Sequence, residues 1–552
     1  MKSISFYWKS MFCLLILLWA GFSRGQDNVV KDVVHPAPNA ASLGKYGDIP
    51  VSYHTGIPSI QVPIFTVQEG SLSLPISLSY HAAGIRVEET ASWVGLGWAL
   101  NAGGVITRTV RNAPDEDGKL QQKSGYWANY GYDFVQGTSE VQNLNYAAAG
   151  LIDTEPDLFS FNVNGYSGKF FFDDNRNVVL LPRQDIKIEV VASPNPYGYK
   201  FDEWIMTTPD GVKYTFGGTG AIEESASSSG YYFTNDLYNR SSWYLKEIES
   251  PNADFKIELE YEPEKYAYYN NGSESRIAGA NACPAPIHAP NPVKTIVKGV
   301  RLSRISTPYT AVDFVANHVR QDLSKYIAGT NSGVNNESRA LDEIVIKDSD
   351  GQCFKRFILS KSYFESSFNT PTPYHDPDQT DEKRLRLDQV QEVICSGKTS
   401  IPAYVFAYNH QVGLPRRRSL AQDHWGYFNG RYNTVLTPKP ANSSCSGADR
   451  KPDANKVKEW AIKKITYPLG GWTEFEFETH QTNSYNFGQG ANTMVGGLRI
   501  KKMIHNDGDS NTSNNMIKNF AYVKSNGTTS GKLMSAISYK APIKLDGGTS
   551  NP

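Results

Sequence analysis

Few residues in this chain are spaced for chemistry. His375-Asp376, with Asp378 two residues on, is the nearest approach to an acid–base cluster, since a carboxylate beside an imidazole can orient it as a general base. Pro373 and Pro377 flank it in a polar stretch, which reads as a turn. Two segments carry oxygens on alternate or adjacent residues, as calcium loops do. Asp507-Gly508-Asp509-Ser510-Asn511 starts such a loop, but Thr512 stands at the usual glycine and Lys518 where a bidentate Glu is needed, so it reads as a hairpin tip. Asp115-Glu116-Asp117-Gly118 is dense in carboxylates and reads as a solvated turn. The sequence has no H-E-x-x-H, G-x-S-x-G, phosphate-binding loop or dinucleotide fingerprint. His424, beside Trp425, reads as a packed histidine. No catalytic residue, metal or cofactor is expected, and the chain reads as non-enzymatic.

Aromatic residues offer a second chemistry, because flat rings stack on sugar faces. Tyr266, Tyr268, Tyr269 and Trp425-Gly426-Tyr427-Phe428 are the candidates, against the more ordinary role of cross-strand and corner packing. The densest aromatic–glycine pattern is A-S-W-V-G-L-G-W-A-L-N-A-G-G-V-I-T-R-T-V-R, Ala91 to Arg111. Trp93 and Trp98 flank Gly95 and Gly97, and Gly103-Gly104 follows. Glycine lets a large ring or another backbone come close, so the run predicts a tightly packed β corner. Nothing between Trp93 and Gly104 donates, accepts or attacks strongly.

These residues must be positioned by strands. Leu72, Leu74, Ile76, Leu78 and Tyr80 alternate with Ser71, Ser73, Pro75, Ser77 and Ser79, and the same period runs through Ile186–Val190, Ile257–Tyr261 and Glu474–Glu478. One apolar and one polar face per strand is the mark of antiparallel sheet. Pro209-Asp210-Gly211, Asp173 to Asn177 and Leu469-Gly470-Gly471 read as hairpin turns. The fold class is all-β: antiparallel hairpins in large curved sheets, shell-like or stacked as sandwiches, with long loop insertions. Gly118 to Gly150 is the least strand-like stretch and has room for a short helix. Four polar segments interrupt the hairpins: Asn112 to Glu155, Tyr266 to Lys294, Ser366 to Lys383 and Thr437 to Lys456. Long insertions of this kind are where a binding surface is expected.

A degenerate repeat underlies the hairpins. Two apolar residues three apart, then a turn, then an alternating strand, recur at Leu245/Ile248, Leu302/Ile305, Leu341/Ile344, Leu387/Val390, Ile462/Ile465 and Ile500/Met503. Trp243, Leu245, Ile248 and Pro251 match Trp460, Ile462, Ile465 and Pro468 at one constant offset. Each unit is a hairpin that must stack on neighbours to bury its apolar face.

Composition bounds the remaining possibilities. The 552 residues carry a formal charge of −1, with 12% aromatics and 32 Tyr, which favours sheet and turn over helix. Lys2 and Lys9, the apolar run Met11 to Phe22, and Ser23-Arg24-Gly25 form an export signal. Its removal leaves 52 basic against 56 acidic residues, so no single-sign field suggests nucleic acid or a membrane surface as partner. Arg416-Arg417-Arg418 reads as a solvated loop, and no second membrane span is present. Cys283, Cys353, Cys395 and Cys445 then remain, enough for two disulfides in an exported chain. Cys353 follows the Asp350-Gly351 turn and Cys395 precedes Ser396-Gly397; turns at one sheet end would bring these two sulfurs together, with free buried thiols as the alternative. The segments are 1–25 (signal), 26–112, 113–265, 266–420 and 421–552.

The run G-L-G-W-A-L-N-A-G-G-V-I-T-R with the P-D-E-D-G at Pro114 to Gly118 resembles the N-terminal region of bacterial RHS-repeat (YD-repeat) secreted and cell-surface proteins, and distantly the Tc-toxin B components. E-P-D-L-F-S-F-N-V-N-G-Y-S-G-K-F (Glu155 to Phe170), D-H-W-G-Y-F-N-G (Asp423 to Gly430) and K-K-I-T-Y-P-L-G-G-W-T-E-F-E-F-E (Lys463 to Glu478) resemble further blocks, so the likeness runs from about Gly44 to the C-terminus. The Tyr-Asp repeats themselves are absent; Tyr132-Asp133 is the only such dipeptide. The resemblance implies a secreted or surface protein that helps build or plug a β shell, with other shell segments or cell-surface ligands as partners. A free-standing adhesin or carbohydrate-binding protein is the alternative.

The resemblance makes Trp93 and Trp98 structural, and both are expected to be mostly buried. Trp98→Ala is expected to lower unfolding free energy by ~3–5 kcal/mol in denaturant titration, as for other buried aromatic truncations. A loss near zero would mean an exposed, recognition-type tryptophan.

Overall fold

The computed structural model describes residues 49–111, 114–116, 155–173, 175–195, 198–228, 238–272, 274, 293–325, 337–367, 379–396, 401–439, 446–483, 492–509, 512–533 and 537. The export signal, the Gly118–Gly150 stretch, His375-Asp376 with Asp378, and Cys283 and Cys445 lie outside them. The described residues are almost entirely β, with helical turns only as short 3-10 pieces such as Thr380–Glu382 and Lys456–Lys458. All-β is therefore the fold class, as the alternation requires.

Strands Ser59–Glu69, Leu72–His81 and Trp98–Asn101 form a three-stranded antiparallel sheet. Its alternation is literal: Leu72, Leu74, Ile76, Leu78 and Tyr80 are all buried, while the intervening side chains are exposed or partly so. The other strands, apart from the short pair His318–Val319 and Arg339–Ala340, belong to one large antiparallel sheet that closes on itself. The closure is local. Ile222–Ser228 pairs with Asn239–Glu249, which pairs with Lys256–Asn270, which pairs with Val293–Ser306, which returns to Ile222–Ser228. Two of these strands run 15 and 14 residues, long enough for each to change partners along its length. From Val293–Ser306 the sheet continues as a meander to Met516–Asn519.

The paired apolar residues of the repeat explain how that meander is held. All twelve anchors are buried, none more than 6% exposed. In an uninterrupted strand, residues three apart face opposite sides. In five of the six units the ladder slips by one residue between the anchors. The unpaired residues are Lys246, Ser303, Asp388, Lys463 and Lys501. A β-bulge adds the one residue that returns the second anchor to the core face, and each extra residue is polar. The spacing of three is thus the sequence trace of a bulge.

Hydrogen bonding also crosses the segment boundaries. Gly104–Thr109 pairs with Asn239–Glu249, Lys256–Asn270 runs through position 265, and Tyr404–Tyr408 pairs with Ile462–Thr466. Ile49–Pro552 is one compact unit.

Two insertions have bounds different from those expected. Tyr266–Asn270 is the end of a strand, not the start of a loop, because its backbone pairs with Val293–Val297. Lys383 likewise opens the strand Lys383–Ile394.

Cys353 and Cys395 are disulfide-bonded, with Cα atoms 5.8 Å apart. Their strands are direct neighbours, with Lys355 opposite Ile394, so the two turns share a sheet end. The bond closes a loop of sequence separation 42. Cys353→Ala/Cys395→Ala is expected to lower unfolding free energy by about 3–4 kcal/mol, and reducing agent should destabilise the parent chain but leave the double variant unmoved.

Candidate functional site

The Trp-Gly run is a corner wedged between the two sheets. The Ser92 hydroxyl accepts from Val94 N at 3.1 Å and donates to Trp98 O at 2.6 Å, closing the turn. Gly97 sits at φ +74°, and a Cβ there would lie 2.7 Å from the Tyr80 ring, so only glycine fits. Leu96 N donates to Leu385 O and Leu341 N donates to Trp93 O, which ties the corner to two repeat units. Trp98, 2% exposed, packs against Phe406 and Tyr80 with ring centroids 4.5 and 5.3 Å away. Its indole N–H donates to Tyr408 Oη at 2.8 Å, and that hydroxyl donates to Leu387 O at 2.6 Å. Trp98 is structural, as expected. Trp93 is partly buried and lines a cavity.

That cavity, of about 1340 Å³, is the candidate site. One wall is the outer face of Ser59–Glu69 and its neighbour, a second is the corner from Glu88 to Gly104, and a third is the closed four-strand ring. On Lys256–Asn270, alternation turns Glu264, Tyr266, Tyr268 and Asn270 inward. Tyr244 and Tyr261 pair with ring centroids 5.6 Å apart, and Tyr266 and Tyr268 stack at 6.5 Å. Two carboxylates lie among them. Glu223 accepts from Ser241 Oγ at 2.9 Å, Ser242 Oγ at 3.3 Å and Tyr244 Oη at 3.4 Å. Glu264 accepts from Ser338 Oγ at 3.3 Å. Burial pushes both carboxyls above the usual range, partly offset by the hydroxyl donors at Glu223 and by Arg320 at Glu264. Burial, reinforced by Glu223, holds the Tyr244 and Tyr266 phenols protonated. No His, Cys or Lys lines the cavity among the described residues. Glu223, Glu264 and Tyr244 drew no notice in the sequence, and Tyr261 only as the end of the Ile257–Tyr261 alternation; the alternation of Glu264, Tyr266 and Tyr268 beyond it was the available signal, obscured where it ran into the polar insertion.

The other sequence candidates fall as follows. Tyr266 and Tyr268 do reach the cavity, whereas Tyr269 faces the opposite side, under Arg418. Trp425–Phe428 is no open aromatic row, because Tyr427 and Phe428 are buried. His424 is half-buried against Trp425, and burial with nearby Arg450 brings its pKa down to about 4. Asp423 turns the segment by accepting from Trp425 N and Tyr427 N, and burial pushes its carboxyl up to about 6. Asp507 accepts from Asp509 N in a hairpin tip, and Ser510 and Asn511 lie outside the described residues. No metal-binding cluster occurs among the described residues.

Two expectations of solvation are overturned. Arg417 and Arg418 are 2% and 1% exposed, not in a solvated loop. Arg417 donates to Thr380 O at 3.0 Å, and the neighbouring Arg384 is pushed down to about 9 by burial and by Arg417. Tertiary backbone carbonyls, invisible in sequence, accept these guanidinium protons: Arg384 reaches Val87 O and Pro415 O. Asp115 and Glu116 are likewise buried, at 0% and 5% exposure, and Asp117 and Gly118 lie outside the described residues. The carboxylates of Asp115 and Asp157 accept from each other's backbone N–H at 2.9 and 3.1 Å, while Arg108 pairs with Glu116 at 2.6 Å. This clasp joins the two ends of the insertion between residues 116 and 155, and one guanidinium stands in for the cation its acidity suggested.

No family model and no curated protein matches this chain. Its distant structural neighbours among solved structures include Tc-toxin components. The crystal structure of TcdB2-TccC3-Cdc42 aligns with TM-score 0.31 and 12% identity over 64% of this chain and 16% of that one. A Photorhabdus luminescens Tc holotoxin pore carrying a TccC3 mutation aligns with TM-score 0.32 and 12% identity over 81% and 19%. The N-terminal domain of effector protein SpvB from Salmonella typhimurium strain LT2 gives TM-score 0.27 and 12% identity over 61% and 98%. The matched region thus spans under a fifth of either Tc-toxin chain.

The clasp sets a pH dependence. Burial raises the Asp115 and Asp157 carboxyls, reinforced at Asp115 by repulsion from Asp157 and opposed at Asp157 chiefly by Arg108. A carboxyl raised on folding contributes stability that is complete below its unfolded pKa of about 4 and lost as pH climbs through the folded value. Asp115→Asn keeps the acceptor for Asp157 N–H and removes one charge. Thermal unfolding across acidic to alkaline pH should show the parent losing stability toward alkaline pH and a flatter profile in Asp115→Asn, which should be the more stable at the alkaline end.

Proposed function

We propose that this chain is an exported, non-enzymatic structural protein that contributes a β wall to a larger shell-like assembly. The observation that carries the reading is the closure of four strands into a ring beside a cavity whose wall is rich in inward-facing tyrosines. Sheet closure removes the free edges that would otherwise invite uncontrolled strand pairing. The resemblance to the entry region of RHS-repeat proteins, carried by motifs spread along the chain, supports the same role. The partners it implies are other shell segments. The non-enzymatic reading is supported by the cavity's chemistry. Its two ring carboxylates, Glu223 and Glu264, are engaged by hydroxyl donors of the wall itself.

An antibody raised against the purified chain tests this on fractionated source cells. The protein should appear in the medium or at the cell surface, within a complex larger than the chain alone on native gels. Retention in the cytoplasm would overturn the export reading. Turnover of a glycoside or ester panel that disappears in Glu264→Gln would overturn the non-enzymatic one.

A further inference from the structure

We propose that the cavity between the three-stranded sheet and the closed ring binds an organic cation, a primary ammonium group held by the Glu223 carboxylate and the faces of the surrounding tyrosines. The inference stands independently of the shell reading, since it needs only this chain.

Charge supports it first. The lining side chains that carry charge are Glu88, Glu223, Glu264, Arg301 and Arg320. Both arginines are committed elsewhere: Arg320 makes a bidentate pair with Asp322 at 3.0 and 2.8 Å, and Arg301 pairs with Glu262. Glu88 accepts from the side-chain amides of Asn271 and Gln422. Glu223 is different. Its hydrogen-bond donors are three neutral hydroxyls, and no described Lys or Arg nitrogen lies within salt-bridge reach of it. A carboxylate this enclosed is costly to keep ionised without a cation, which is why burial dominates its titration. An ammonium in the cavity supplies the missing charge.

The rings supply the second element. Tyr244 and Tyr266 are close enough for the Glu223 charge to act on both phenols. Tyr261 packs on Tyr244, and Tyr268 stacks on Tyr266. Tyrosine faces attract cations through the ring quadrupole, and the effect grows when water is excluded. Phenols that stay protonated leave their oxygens free to accept N–H protons. A neutral sugar would use the rings but not the unpaired charge, and an anion would meet net repulsion. The volume of about 1340 Å³ exceeds the usual range for a single small ligand, so the ammonium belongs to something extended: a free polyamine or a lysine-bearing peptide segment.

Isothermal titration of the full chain at moderate salt, above neutral pH, tests the proposal with four probes: spermidine, acetyl-trilysine amide, maltotriose and citrate. Saturable binding of spermidine or of the trilysine peptide is expected, and which one binds more tightly identifies the source of the ammonium. Maltotriose and citrate should not bind. Glu223→Gln preserves shape and hydrogen-bond acceptance, and it should weaken the cation by about tenfold or more without shifting the thermal unfolding midpoint downward. Tyr266→Leu should weaken binding too, and Tyr266→Phe, which keeps the ring, should largely retain it. Absence of saturable cation binding to folded parent protein would overturn the proposal. So would equal affinity in a folded Glu223→Gln variant, or maltotriose binding as tightly as either cation.

Discussion

The hydrogen-bond chain from the Trp98 indole through Tyr408 to the Leu387 carbonyl is the joint on which the two sheets depend. Trp98 belongs to the three-stranded sheet, while Tyr408 and Leu387 belong to the large one. A buried indole N–H and a buried phenol each need a partner, and here each satisfies the other while a repeat anchor takes the last proton. Tyr80 repeats the arrangement one strand away, its hydroxyl accepting from Ile462 N at the start of another anchor pair. The sheets are therefore docked at the repeat units themselves, and the cavity is the space left where that docking stops.

The bulges give the same units their shape. A bulge strengthens local twist and bends its strand, so a bulge at the same place in successive units bends the meander in the same sense. The polar residues at these sites avoid burying an unpaired apolar group on the wrong face. The spacing that made the repeat look weak, two apolar residues three apart, is the feature that curves the sheet.

Buried charge is the third theme. Arg108 with Glu116 and Asp157, Arg320 with Asp322, and Arg384 beside Arg417 are enclosed by chain segments far apart in sequence. Such groups are tolerated only where carbonyls and carboxylates converge on them, and here those acceptors lie at the ends of insertions and corners. Where the convergence lacks a cation, at Glu223, the structure has a cavity instead.

Much of this architecture was legible in the residues. Alternation at Leu72–Tyr80 identified buried and exposed faces one by one, because a strand's period of two is set by backbone geometry alone. The turns beside Cys353 and Cys395 pointed to a shared sheet end, and the pairing of Lys355 with Ile394 decided it. The glycines of the Trp-Gly run announced close approach. Tertiary structure alone decided what approached: the Tyr80 ring at Gly97, the Tyr408 hydroxyl at Trp98. It also decided that Asp115 and Arg417 are buried and that Glu223 shares a cavity with Tyr266. Local pattern determines which way a side chain points, since that is a property of neighbouring dihedrals. Whether a charge meets water, a carbonyl or an empty space depends on segments tens to hundreds of residues away, and no local spacing encodes them.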